Sequence, residues 1–382
     1  MTSDTSQAGG GLFAAPSAAI PAAAPSVAAP ADGQNAVLCE ANDGFKQWIS
    51  NYGGSLVFST RRSGKLCFLG WDGQMVTLMM RQMNAPTGLE MLRGQLLAAS
   101  RFEISLFADA PLLAYEYDPK NPGAYDACYL PRTTWFVGDL GAGDVLTDRE
   151  GILFVNTRFS CIARPSFKYH FDPIWKPDFV SALTPEDRCH LSGAAAVEGR
   201  LAYVTAFAKS DKPYGWRDAL NGGGLLIDAR TNEILLDGLK MPHSPRWHKQ
   251  CLWFLNSGAG ELCVMNPETH EVKTVCHLPG LTRGLAFWEN YAVVGLSTIR
   301  KNDENEKFPV QKQNNITYCG VAIINILTGR AEGLFYFERG CEEIYDIALL
   351  PNVHRAALLT PDRPGCFDAL TTENYAWWMR TE

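Results

Sequence analysis

The chain has 382 residues, 46% of them hydrophobic and 11% aromatic, enough apolar material for a large folded core. Its formal net charge is -7 and it carries no basic stripe, which argues against a nucleic-acid partner and against an anionic membrane surface. Eleven cysteines are spread along it without a Cys-x-x-Cys pair, which removes the zinc-ribbon and thioredoxin-like classes.

Residues 1 to about 40 are rich in Ala, Pro, Ser and Gly and have too few large apolar groups to offset the entropy of ordering, so this segment is expected to be a disordered tail. No Lys or Arg precedes Lys46, and no secretory signal is expected. Phe45, Trp48 and Ile49 then fall at helical spacing and predict a short amphipathic helix.

From Leu56 onward, short runs of β-branched, aromatic and leucine residues alternate with Gly, Pro, Asn and Asp turns, an all-β texture. A strand pair then recurs. It runs from Thr87-Gly88-Leu89 to Ala99-Ser100, and returns from Asp144-Val145-Leu146 to Asn156-Thr157 and from Ser192-Gly193-Ala194 to Val204-Thr205. It returns again from Ser244-Pro245-Arg246 to Asn256-Ser257 and from Gly284-Leu285-Ala286 to Leu296-Ser297, with a last copy from Ile344-Tyr345-Asp346 to Leu359-Thr360. Well-formed copies are followed by two more strands, joined by turns such as Asn266-Pro267-Glu268-Thr269-His270 and Asn325-Ile326-Leu327-Thr328-Gly329. Four antiparallel strands per unit at a spacing of tens of residues is the pattern of a β-propeller blade. The strands from Leu56 to Leu78 lack an inner partner and the last copy lacks outer strands, so the two ends are expected to complete one blade together. That gives a single propeller over residues 41–382 with six blades, or seven if the ends do not share one.

In such a ring the residues that begin the innermost strands gather at one mouth of the central channel, a place where propellers bind ligands. The aligned copies put His243, Arg283, Asp346, Asp144, Arg246 and Glu343 at or beside that position. In Pro185-Glu186-Asp187-Arg188-Cys189-His190, Arg188 has the planar fork that holds a carboxylate or phosphate, and His190 with Asp187 offers acid–base chemistry. An ion pair tying neighbouring blades accounts equally well for Asp187 and Arg188. In Met241-Pro242-His243-Ser244-Pro245-Arg246, two prolines present His243 rigidly, but adjacent His and Ser on a strand face opposite ways, which counts against a serine hydrolase. The candidate site is therefore His243, His190 and Asp187 for catalysis, with Arg188, Arg246, Arg283, Asp346 and Asp144 for substrate.

No cofactor is specified. Two histidines with a carboxylate would suit a divalent transition metal, although no spaced His/Glu motif accompanies them. Asn302-Asp303-Glu304-Asn305-Glu306 resembles a calcium loop but lacks its glycine and its spaced final glutamate, and reads as a solvated insertion. Asn156-Thr157-Arg158 and Ser100-Arg101 read as blade corners whose polar side chains bond nearby backbone. Trp135, Trp175, Trp216 and Trp247 read as core and loop anchors that could also stack on a sugar. Cys67, Cys251, Cys263 and Cys319 lie in apolar runs and read as buried small hydrophobes; so many unpaired thiols suit a reducing cytoplasm.

Phe154-Val155-Asn156-Thr157-Arg158-Phe159-Ser160-Cys161, Ala182–Leu191, Met241–Trp247 and Pro279–Phe287 resemble an uncharacterised bacterial family of conserved hypothetical proteins, a domain of unknown function. The resemblance covers roughly residues 45–360. It implies a propeller-like fold and brings no established activity, though the bacterial context of the family points toward carbohydrate or peptide modification. The expected function is a polar site at one channel mouth, either catalytic toward a small anionic, peptide or sugar substrate, or binding a protein, peptide or glycan without catalysis. A cytoplasmic monomer is expected.

Overall fold

A computed structural model describes residues 36–299, 308–314 and 316–379. The calcium-like segment Asn302–Glu306 and residues 1–35 lie outside the described residues. Six antiparallel sheets stand around a central channel. Blade 1 is built from Asp346–Pro351, Gly54–Thr60, Lys65–Trp71 and Val76–Gln82, from the axis outward. The innermost strand thus comes from the C-terminal part of the chain and its three partners from the N-terminal part, which closes the ring and leaves six blades, not seven. The innermost strands of blades 2 to 6 are Leu89–Leu92, Ala142–Asp148, Leu191–Val197, Pro242–His248 and Leu281–Trp288. Each packs against its neighbours in ring order.

The continuous apolar runs follow from this geometry. Successive side chains of a strand face opposite sides of the sheet, and in a propeller both sides face another blade. Leu66 and Phe68 enter the core between blades 1 and 2, whereas Cys67 and Leu69 enter the core between blades 6 and 1. Leu252 and Phe254 face blade 4 while Trp253 and Leu255 face blade 6. One apolar cluster fills each of the six gaps between blades.

Three features depart from the sequence expectation. Leu38–Ala41, assigned mostly to the tail, forms a fifth strand on the outer edge of blade 6, antiparallel to Arg330–Arg339. The last repeat copy is not a strand pair: Asp346–Pro351 takes Gly54–Thr60 as its partner, and Ala356–Leu358 instead runs parallel to Ala127–Phe136 as a fifth strand of blade 2. On its way the chain crosses Gly70, where a Cβ would stand 1.9 Å from the His354 carbonyl oxygen. Cys251 is only half-buried, unlike Cys67, Cys263 and Cys319.

The amphipathic helix spans Asp43–Tyr52, capped by Asn42, whose side chain accepts from the Phe45 amide, and ended by left-handed Gly53. Its apolar face, Phe45, Trp48, Ile49 and Tyr52, is buried in the seam between the last and first blades. No helix among the described residues is long and apolar enough to cross a membrane.

Candidate functional site

Buried hydroxyls join each blade to the next around the channel. Ser59 donates to the Thr87 carbonyl and Thr87 to the Ala142 carbonyl. Thr157 donates to Leu191 and Ser192 to Pro242. Ser244 accepts from the Gly284 amide, and Ser297 donates to the Ile344 carbonyl. Each satisfies backbone groups that the crowded start of an innermost strand would otherwise leave unpaired. This belt holds the side where the innermost strands begin, here the upper mouth, in fixed geometry.

A bulge between His243 and Arg246, with Ser244 at a φ of +51°, redirects the innermost strand of blade 5. Arg246 then spans the channel. Its guanidinium donates to both carboxylate oxygens of Asp144, at 2.9 and 3.1 Å, and lies 3.5 Å from Asp346. Asp144 also accepts from the Ala194 amide and Asp346 from the Leu89 amide. Burial pushes the Asp346 carboxyl above its ordinary value, against the pull of the Arg246 guanidinium. Below this cluster a cavity of about 670 Å³ opens where the innermost strands end, lined by Glu90, Arg246, Trp247, His248 and Phe287 among others. Burial likewise raises Glu90 to about 7.

Above the cluster, Tyr345 crosses the channel toward Gly143, where a Cβ would stand 3.3 Å from its hydroxyl. Arg283 lies over the Tyr345 ring at 5.1 Å and pairs with Glu343 at 3.2 Å. Tyr345 forms part of the wall of a second cavity, of about 320 Å³, at the upper mouth. Four arginines line it: Arg61, Arg101, Arg158 and Arg217. They share one topological position, the connection between the second and third strands, in blades 1, 2, 3 and 4 in succession; it is a short turn in blades 1 to 3 and a long loop with a 3-10 helix in blade 4. Only two carboxylates share the cavity. Asp139 pairs with Arg101 at 3.0 Å and lies 3.6 Å from Arg158. Asp187 contacts Nδ1 of His190 at 2.9 Å. Among the described residues neither Arg61 nor Arg217 has an acidic partner within ion-pair distance. Arg217 instead lies over Tyr214 and Trp216, at 4.8 and 5.5 Å from the ring centroids.

The expected residues divide between these places. Asp187 and His190 line the upper cavity, each with positive φ, +44° and +53°. The connector carrying them is bonded to blade 3: the Asp187 amide donates to the Arg158 carbonyl and the Arg188 amide to Ser160. The Arg188 side chain makes an ion-pair bridge to Glu186 at 2.7 Å and Asp211 at 2.6 Å. It ties the connector to the loop that presents Arg217 and is not among the cavity-lining residues. His243 is 4% exposed and packs edge-on against Phe207, whose other neighbours include the His190 ring. It lines neither cavity. Its Nδ1 faces the Ser192 carbonyl at 3.4 Å and its Nε2 has no partner. Burial, then the nearby Arg283, hold its pKa well below the ordinary value, so it stays neutral. Among the described residues no group of three or more His, Cys, Asp or Glu is arranged to hold a metal ion.

None of the four cavity arginines, Arg61, Arg101, Arg158 and Arg217, is among the site residues expected from sequence. The first three arginines share a signal, a hydroxyl residue followed by Arg where the second strand ends: Thr60-Arg61, Ser100-Arg101 and Thr157-Arg158. Arg217 lies in a longer loop without that signature. Of the tryptophans, Trp216 packs against His190 with ring centroids 4.2 Å apart and the planes tilted by 39°, while Trp135 and Trp175 pack against inter-blade cores.

Residues 43–359 match the family model described as "Domain of unknown function (DUF4915)". No curated protein sequence matches the chain. Among solved structures, one described as "Crystal structure of Nidogen/Laminin Complex" is 13% identical, with a TM-score of 0.52, covering 78% of this chain and 99% of that one. The likeness is one of fold. A computationally designed protein, Ika8, is 11% identical at a TM-score of 0.34, covering 74% of each chain.

Proposed function

The chain belongs to the family described as Domain of unknown function (DUF4915), and we propose that its propeller binds a small polyanion, bearing phosphate, sulfate or carboxylate groups, at the upper mouth. The observation that carries this reading is the convergence of Arg61, Arg101, Arg158 and Arg217, from the connections between the second and third strands of four successive blades, on one cavity with only two carboxylates. In a chain of net charge -7, such a local positive excess is a specific feature and not a reflection of overall composition. Arginine forks suit tetrahedral or planar anions, which they grip through paired donors. Arg101 and Arg158 are set in place by Asp139, while Arg61 and Arg217 keep their charge free for a ligand.

A catalytic use is the second reading, and the Asp187–His190 pair favours it. A carboxylate on Nδ1 fixes the ring and leaves Nε2 to exchange a proton with a bound group. The anion reading is tested by titration calorimetry with inorganic pyrophosphate at low salt. Wild-type protein should bind it, and Arg61→Ala with Arg217→Ala should weaken binding at least about tenfold, the effect of losing charge-assisted bonds of roughly 1.5–3 kcal/mol. Unchanged affinity in the double variant would overturn the reading. For the catalytic reading, His190→Gln should keep pyrophosphate binding and abolish any turnover of p-nitrophenyl phosphate; equal turnover in both proteins would remove it.

A further inference from the structure

Cys319 stands on the third strand of blade 6 and is wholly buried, whereas Cys341 is half-buried in the connector that carries the chain into the innermost strand of blade 1. Their sulfurs are 3.6 Å apart, with the Cys319 thiol directed at the Cys341 sulfur. No other two of the eleven cysteines make such a contact among the described residues. We propose that Cys319 and Cys341 are an oxidisable dithiol that closes into a disulfide across the seam between the last and first blades when the protein meets a peroxide.

The surroundings favour this pair over the other thiols. The hydrogen bond from Cys319 lowers the Cys341 thiol below its ordinary value, and the same contact raises Cys319. Burial pushes Cys128, Cys161, Cys189 and Cys263 up to about 12, away from the reactive thiolate form. The half-buried Cys39 and Cys251 are also raised, by burial first. Cys341 therefore combines access, acidity and a resolving partner in contact.

In the first step the Cys341 thiolate attacks one oxygen of hydrogen peroxide. The O–O bond breaks, Cys341 becomes a sulfenic acid, and the departing hydroxide takes a proton and leaves as water. Cys319 then gives up its proton and attacks the Cys341 sulfur. The S–S bond forms, the S–O bond breaks, and the leaving hydroxide takes that proton as a second water. Two thiols lose two electrons and the peroxide gains them. The product pins the connector that also carries Glu343 and Tyr345 to the third strand of blade 6.

The test uses the full chain, reduced, exposed to increasing hydrogen peroxide, then alkylated in denaturant and cut with trypsin without reductant. Cys319 and Cys341 fall on separate tryptic peptides, residues 313–330 and 340–355, each with one cysteine. The expected result is a linked pair of these peptides and loss of the mass of two hydrogens from the intact protein, with Cys128, Cys161, Cys189 and Cys263 still alkylated. Cys341→Ser should abolish the link and leave Cys319 alkylated. Cys319→Ser should drive Cys341 onward to sulfinic acid. Should the buried Cys319 variant fail to fold, the wild-type map and the Cys341 variant decide. Recovery of both peptides alkylated at peroxide levels that oxidise other cysteines, or a link from Cys341 to Cys67, overturns the proposal.

Discussion

Arg246 grips Asp144 across the channel through two parallel hydrogen bonds, joining blade 5 to blade 3 at the axis of the ring. The same guanidinium faces Asp346 of blade 1, so a single cation holds three alternate blades. Both carboxylates are almost wholly buried, and removing their partner would strand them. Arg246→Met should lower the free energy of unfolding by about 3–5 kcal/mol, the range for breaking a buried pair from one side. Adding Asp144→Asn to that variant should restore part of the loss. Urea unfolding of the wild type and both variants measures this; a loss within experimental error for Arg246→Met would mean that the channel is hydrated enough to solvate both acids.

The hydroxyl belt makes a second stability prediction. Ser59 both donates to the Thr87 carbonyl and accepts from the Asp346 amide. Ser59→Ala leaves two buried backbone groups of neighbouring blades without a partner, and should cost about 1–3 kcal/mol. Ser50, on the exposed side of the lead-in helix, bonds only the Gln47 carbonyl of its own turn, and Ser50→Ala should change stability by less than about 0.5 kcal/mol. Equal effects from the two substitutions, compared by chemical denaturation, would contradict the role assigned to the belt.

Most of this ring was readable from repetition. Each copy carries the same alternation, and Leu66-Cys67-Phe68-Leu69 is apolar on both faces because a blade has a neighbour on either side. The split blade was legible because the strands near Leu56 had no inner partner in sequence. The fate of Ala356–Leu358 was not, because a short apolar strand says nothing of which sheet edge it joins. Of the residues that line the upper cavity, Asp187 and His190 were legible, because their loop concentrates ionisable groups. Arg246 and His243 begin one strand, yet the bulge at Ser244 sends the guanidinium to the axis and leaves the imidazole behind Phe207. Periodicity puts side chains three apart on opposite faces of a strand but cannot foresee the bulge that carries one of them to the axis. Arg61 lies in a turn and Arg217 in a short 3-10 segment of a long loop, where no strand period exists to place them.

Glu90 titrates in the lower cavity with its carboxyl raised to about 7, chiefly by burial. A carboxyl raised on folding takes up a proton, so its contribution favours the folded state below its ordinary value of 4.5 and is lost as pH rises toward about 7. Glu90→Gln keeps the neutral form at every pH. The variant should therefore lose less thermal stability than the wild type between pH 5 and pH 8, conditions chosen about the window of the shift. A residual slope should remain from Asp346, which is raised in the same direction. Parallel Tm profiles for the two proteins would rule out this coupling.

His243 should behave in the opposite sense. Its pKa is held below the ordinary 6.5 by burial, so its contribution is present above that value and lost as pH falls through it. His243→Phe removes the unpartnered Nε2 but also the Nδ1 contact to the Ser192 carbonyl, opposing effects that should leave stability within about 1 kcal/mol of wild type at neutral pH. The variant should gain stability relative to wild type on acidification. Because the imidazole lies outside the upper cavity, pyrophosphate affinity should stay within about twofold of wild type, a difference well under 1 kcal/mol. A collapse of affinity with stability intact would assign His243 to the ligand.

The arginine-lined mouth is tested most directly by locating an anion within it. Crystals of the full chain soaked in tungstate would report the position of the metal by anomalous scattering. The predicted result is one strong peak in the upper cavity, within bonding reach of the Arg61 and Arg217 guanidinium groups and beside His190, and its loss in the Arg61→Ala, Arg217→Ala protein. An upper cavity without a peak, while tungstate occupies other sites on the same molecule, would contradict the account.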